Sequence, residues 1–227
     1  MAVARSSLPE QVFRQLVGAV LDGRYAPGDR LPPQRTLAHD LGVNMASLRE
    51  GIKRLEQLRL VDVKHGDAMR VQDWRTQSGL DVLAYAVTVD PALTGALFEA
   101  RRLLLREAAR LAAARRTDDH VRTLDELATA FADAPDDTTA QMIDLAFMGT
   151  VIDAADNLVF GLILNSIREL YLGHLERFRP IVTDRDDLIP LYRRAARAVA
   201  AGHDGRAAAA VEKLAAAQER RMVEAHG

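Results

Sequence analysis

The sequence contains no cysteine, which excludes a disulfide framework and any thiolate metal site and suits a reducing compartment. It has no run of about 18 apolar residues, so no segment reads as a membrane span. Its first residues lack a basic region followed by an apolar one, so no signal peptide is expected and a cytoplasmic location is. No internal repeat stands out. A P-loop, a dinucleotide fingerprint and a nucleophile–base constellation are all missing, so an enzyme is not expected. One reading in that class stays open, a helical-bundle enzyme with an appended N-terminal head.

What is present suits a soluble globular chain of two domains: 227 residues, 48% apolar and 27% charged. The net charge of −2 hides an asymmetry. Residues 1–72 hold 11 Lys and Arg against 8 Asp and Glu, a net of +3, and the remainder carries −5. A basic head on an acidic body fits a module that touches phosphates and a body that does not.

Apolar residues at helical spacing (Val12, Leu16, Val20, Leu21) predict a helix over Leu8–Gly23. Pro33 opens a short helix to Leu41, Gly42 makes a tight turn, and Asn44 caps a third helix to about Leu58 with Leu48, Ile52 and Leu55 inward. That is the helix-turn-helix pattern. The period then alternates: Leu60, Val61 and Val63 form one run and Met69 and Val71 another, joined by Lys64-His65-Gly66-Asp67 as the tip of a β-hairpin wing. From Gly79 onward only helices are expected: Gly79–Val89, Thr94–Arg116, Asp118–Ala132, Asp136–Ala155, Asn157–Arg179, Asp187–Ala201 and Asp204–Ala225, with Asp118, Asp136 and Asn157 as capping residues. The fold class is therefore mostly α: a winged helix-turn-helix of three helices plus a small hairpin (1–72), a linker (73–79) and an all-α bundle of six or seven helices (80–227).

Particular residues carry a family resemblance. Pro27-Gly28-Asp29-Arg30-Leu31-Pro32, Gln34-Arg35-Thr36-Leu37-Ala38, Leu48-Arg49-Glu50 with Arg54-Leu55, and His65-Gly66 resemble the turn, contact helix, recognition helix and wing of the GntR family of bacterial regulators. Trp74-Arg75-Thr76 with Ser78-Gly79-Leu80, and Asp156 to Asn165 followed by Leu170-Tyr171, are similar to its FadR branch, which responds to fatty acyl-CoA. The resemblance implies a homodimer on a short palindromic operator in double-stranded DNA. Arg35 and Arg49 would read bases, helped by Thr36, Asn44, Ser47 and Lys53, with His65 and Gly66 at the minor groove. For the arginines the bland alternative is a solvated surface residue, and for His65 a polar turn residue. Met45 stands where the branch has an arginine; a thioether cannot donate a hydrogen bond, so guanine readout there is lost.

Many relatives hold a metal in the C-terminal bundle with one Asp and three His. Here Asp144 matches, but the other positions fall on Met148, Tyr192 and Leu214, so neither a metal nor another cofactor is expected. The histidines show no i, i+3 or i+4 pairing. The resemblance instead implies a cavity for a small hydrophobic effector, fatty acyl-CoA, with Leu105, Met148, Tyr171, Phe178, Tyr192 and Leu214 as its candidate lining. Arg101, Arg102 or Arg106 would meet a carboxylate, thioester or CoA phosphate. Plain core packing is the alternative for each apolar residue, and a small organic acid is the alternative effector. Arg221 falls near a position where the branch has a tryptophan.

Overall fold

A computed structural model describes residues 7–63, 68–90 and 92–226. The chain divides into two compact units, Met1–Asp90 and Pro91–Gly227.

In the first unit, α1 (Leu8–Leu21) begins where the Ser7 hydroxyl accepts the Glu10 amide, and it buries Val12, Phe13, Leu16, Val17 and Val20. Helix α2 (Gln34–Asp40) leads through Gly42, whose φ of +63° suits glycine, into α3 (Met45–Gln57). The Asn44 carboxamide caps α3, accepting the Ser47 amide at 2.8 Å. Leu48, Ile52 and Leu55 face α1. Gly51 lets the two helices close, because a Cβ there would stand 2.7 Å from Val12 Cγ1. Arg54 lies 3.8 Å above the Phe13 ring and pairs with Glu10. Strands β1 (Val61–Asp62) and β2 (Arg70–Val71) pair antiparallel, Val61 opposite Val71. The Asp29–Leu31 backbone bonds along β2, with Leu31 N donating to Met69 O at 2.8 Å. The expected wing tip, His65 and Gly66, lies outside the described residues.

Residues 73–79, expected as a linker, lie inside this unit. They hold one helical turn, α4 (Trp74–Gln77), capped by Asp73; Trp74 is buried, and the Ser78 hydroxyl donates to Leu58 O at 2.6 Å. The expected helix over Gly79–Val89 is a 3-10 turn followed by α5 (Leu83–Ala86), whose Tyr85 meets Phe13 edge-on at 5.1 Å.

The second unit is helical among its described residues: α6 (Ala92–Arg115), α7 (Asp118–Ala132), α8 (Asp137–Ala154), α9 (Leu158–Gly173), α10 (Leu175–Phe178), α11 (Ile189–Ala200) and α12 (Asp204–His226). Long α6 and α12 pack along each other. Their buried alanines (Ala108, Ala109, Ala112 and Ala113 facing Ala207, Ala208 and Ala215 among others) keep side chains small where backbones approach. Asp136 and Asn157 cap α8 and α9 as expected. At α7 the cap is Thr117, one residue before the expected Asp118, in a capping box closed by His120. The helix expected from Asn157 to Arg179 breaks at Gly173-His174, where glycine weakens the helix by about 1 kcal/mol. Pro180 then confines the chain to a 3-10 turn.

Candidate nucleic-acid interface and effector cavity

On the head, α2 presents Arg35 and Thr36, and α3 presents Arg49 and Lys53, all exposed. Met45, Arg49 and Lys53 are spaced i, i+4, i+8 and share one face of α3. Their charges differ in one respect from others nearby. Arg14, Arg24 and Arg54 are tied to Glu10, Asp22 and Glu10, whereas no ion pair engages Arg35, Arg49 or Lys53 among the described residues. Unpaired guanidinium and ammonium groups on a helix-turn-helix are free to meet phosphates and base edges. Ser47 is different: it is only 8% exposed, so the structure places it in the helix packing instead of on the outer face. The Asn44 side-chain oxygen is already occupied by its cap. Met45 is half-buried.

The helical unit holds a small, partly open cavity of about 40 Å³ between α6, α8, α9 and the α10 segment. Its wall is apolar (Leu97, Phe98, Met148, Ile167, Leu170 and Phe178 among others), and Arg101, Asp144 and Tyr171 bring the polar atoms. Asp144 is 2% exposed and fully engaged. Its Oδ1 accepts from the Tyr192 hydroxyl at 2.5 Å and from Gln218 Nε2 at 2.8 Å, while Arg101 Nη2 donates to Oδ2 at 3.2 Å. Arg101 also donates to Gln218 Oε1 at 2.8 Å. Burial, and then the Asp144 charge, push the Tyr192 hydroxyl well above the usual tyrosine range, so it stays a donor.

This donor set does not fit a metal. Every described partner of the one carboxylate is a hydrogen-bond donor, and the guanidinium beside it repels a second cation. Among the described residues no cluster of three or more His, Cys, Asp or Glu could hold one.

Of the expected lining residues, the cavity gathers Arg101, Met148, Tyr171 and Phe178. The others lie elsewhere. Leu105 and Leu214 are core residues, and the Tyr192 ring stacks on Phe131 at 3.9 Å. Arg102 pairs with Glu219 and Glu212, and Arg106 with Glu212, tying α6 to α12. Arg221 binds the Thr183 and Asp184 carbonyls and Asp187. The sequence reading missed Gln218, although its spacing from Val211, Leu214 and Met222 puts it on the inward face of α12. It also missed Leu164, which lines both this cavity and an open groove of about 570 Å³ between α8 and α9.

A winged helix-turn-helix head joined to a helical unit with an internal cavity defines a DNA-binding regulator. Residues 8–71 match the bacterial regulatory proteins of the gntR family, and residues 96–217 match the FCD domain. The chain belongs to the GntR family, in its FCD-containing group, and is not an enzyme. It is 33% identical to the HTH-type transcriptional regulator Mce2R of Mycobacterium tuberculosis over 93% of this chain and 90% of that one. A fatty acid metabolism regulator protein of Edwardsiella ictaluri is 29% identical over 69% of this chain and 66% of its own length. Among solved structures, a Streptococcus agalactiae GntR protein superposes with a TM-score of 0.52 at 25% identity, covering 93% of this chain and 99% of that one. No helix among the described residues is long and apolar enough to cross a membrane.

Proposed function

We propose that this chain is a homodimeric transcriptional regulator of fatty-acid metabolism whose grip on a short palindromic operator is weakened by long-chain fatty acyl-CoA. One observation carries the effector reading: an apolar cavity with Arg101, Asp144 and Tyr171 in its wall, which shares Leu164 with an open groove. If Leu164 swings aside, cavity and groove join into a space within the roughly 300–1,000 Å³ of small-molecule sites. Each buried methylene would add about 0.8 kcal/mol. The name of the 29% identical relative points the same way. An effector weakens DNA binding only by binding the DNA-incompetent arrangement more tightly.

The test is to select operator DNA from a random pool with the purified chain and titrate palmitoyl-CoA against the complex. Inverted half-sites and a fall in affinity are expected; unchanged affinity at saturation refutes the effector reading. With Met45 on the recognition helix, the selected half-site should differ at one base pair from an operator read by arginine there, by about 1–3 kcal/mol of discrimination. Equal binding of both operators in a salt-controlled titration refutes that part.

A second reading is favoured by the small volume of the cavity, about 40 Å³, which needs less enlargement for a compact ligand than for an acyl chain. On that reading the effector is a small organic acid. A thermal-shift screen separates them, since only the true effector class stabilises the protein.

A further inference from the structure

The outer face of α9 is apolar and uncovered. The helix begins Leu158-Val159-Phe160-Gly161-Leu162-Ile163-Leu164, apolar all round, a pattern that belongs to buried helices. Yet of its 16 residues only Leu170 and Tyr171 are buried. Leu158, Val159, Leu162 and Leu172 are between 44% and 79% exposed, and they are half of the large exposed apolar residues among those described. Leu158, Gly161, Leu162, Asn165, Arg168 and Leu172 recur at helical spacing and share one face, which borders the open groove against α8.

Charge says what covers that face. Asp156 and Arg168 line the groove, and neither has an ion pair among the described residues. They stand about 15 Å apart along the helix, too far to answer each other within one chain. Each lies six residues from Leu162, on opposite sides of it. A second copy laid antiparallel across α9, with the two-fold axis at Leu162, therefore sets each Asp156 against the other copy's Arg168. The same operation turns the apolar residues of the two copies onto one another. A surface that complements itself in both respects is what a two-fold, isologous contact requires. A parallel copy would set like charges together.

We infer that the outer face of α9 is the seam on which two copies of this chain pair, antiparallel about Leu162. The inference rests on the homodimer reading above and names its surface in the helical unit. The inner face of the same helix (Leu164, Ile167, Leu170 and Tyr171) lines the cavity, so the seam lies one helix away from the proposed effector.

The full chain would be followed by sedimentation velocity over a dilution series, as wild type and as Arg168→Glu. The variant sets two anions together twice per dimer and should weaken pairing by about tenfold or more. Adding Asp156→Asn should recover most of that loss; asparagine tolerates the left-handed φ of +47° at that position. Because the chain has no cysteine, Leu162→Cys provides a single thiol. On oxidation it should form a covalent dimer roughly tenfold faster than Arg122→Cys, since thiols facing each other at a two-fold axis lie within disulfide reach. Arg122 is an exposed site on α7, away from the face. Equal cross-linking of the two thiols, a wild-type dimer that Arg168→Glu leaves unchanged, or a loss that Asp156→Asn does not restore overturns the inference while the homodimer reading stands. Should Arg168→Glu misfold, the thiol comparison decides. A wild type that stays monomeric at every concentration ends the homodimer reading and the inference with it.

Discussion

Replacing Gly51 by alanine tests how closely α1 and α3 must pack to hold the recognition helix. The added methyl would sit 2.7 Å from Val12 Cγ1, 3.1 Å from Val12 Cβ and 3.3 Å from the Phe13 backbone nitrogen. Alanine favours a helix over glycine by about 1 kcal/mol, whereas overpacking costs about 1–3 kcal/mol. Two of the crowded atoms belong to the backbone or to the root of a β-branched side chain, and no rotamer change moves them. Because those atoms cannot move, the overpacking cost should lie in the upper part of that range, about 2–3 kcal/mol, and crowding should win for a net loss of about 1–2 kcal/mol. The readout is favourable because Trp74 is the single tryptophan, is buried, and belongs to the head unit. Its fluorescence in urea follows the head alone, where calorimetry of the whole chain would mix two units. With a slope of about 1 kcal/mol/M for a small domain, the midpoint should fall by about 1–2 M. A midpoint equal to or above that of wild type would refute the packing argument.

Other outcomes follow from the same geometry. Arg35→Ala and Arg49→Ala should each weaken binding to the selected operator by roughly 5- to 150-fold, the worth of about 1–3 kcal/mol; undiminished retention of the double variant would end the DNA-surface assignment. Lys53→Ala should weaken all sequences evenly and reduce the slope of log affinity against log salt by about 1. Asp144→Ala leaves Arg101 buried without its counter-charge and should cost about 3–5 kcal/mol in the helical unit, measured by circular dichroism; a loss below about 1 kcal/mol would show the network to be solvated. For pH, the hydrogen bond from Arg54, then that from Arg14, holds the Glu10 carboxyl below the usual glutamate range. A lowered folded value gives stability that is complete above the unfolded pKa of about 4.3 and is lost as pH falls through the folded one. The Trp74 signal should therefore report head destabilisation below about pH 4.3, and Glu10→Gln should flatten that part of the profile; parallel profiles would exclude Glu10.

The head was legible because its signals are local. Periodicity, the Gly42 turn and the Asn44 cap each act within a few residues, and all three are where the spacing puts them. The helical unit was legible as helices but less so as a site, since a cavity is made by residues far apart in sequence. Tyr192 sits in a helix with a strongly apolar face, yet which aromatic neighbour it meets depends on how α7 and α8 cross it. The break at Gly173-His174 interrupts an otherwise continuous apolar pattern, so periodicity runs straight through it. The segment after the wing read as a joint because it is short and polar, while one buried indole and one serine hydroxyl fasten it to the head.

Arginine shows the same limit in a form that bears on function. Composition gives its charge but not the group that answers it. By sequence position alone Arg102 and Arg106 are as well placed for a ligand as Arg101, because all three lie on one helix within two turns. Glutamates on α12 answer the first two at the surface, whereas Arg101 turns inward to a buried carboxylate. On the head, Arg54 is answered by Glu10, while Arg35 and Arg49 have no acidic partner among the described residues. A guanidinium already paired has to lose that partner before it can bind anything else, and a partly buried pair is costly to break. The arginines of α2 and α3, which have no acidic partner among the described residues, would pay no such penalty on meeting DNA.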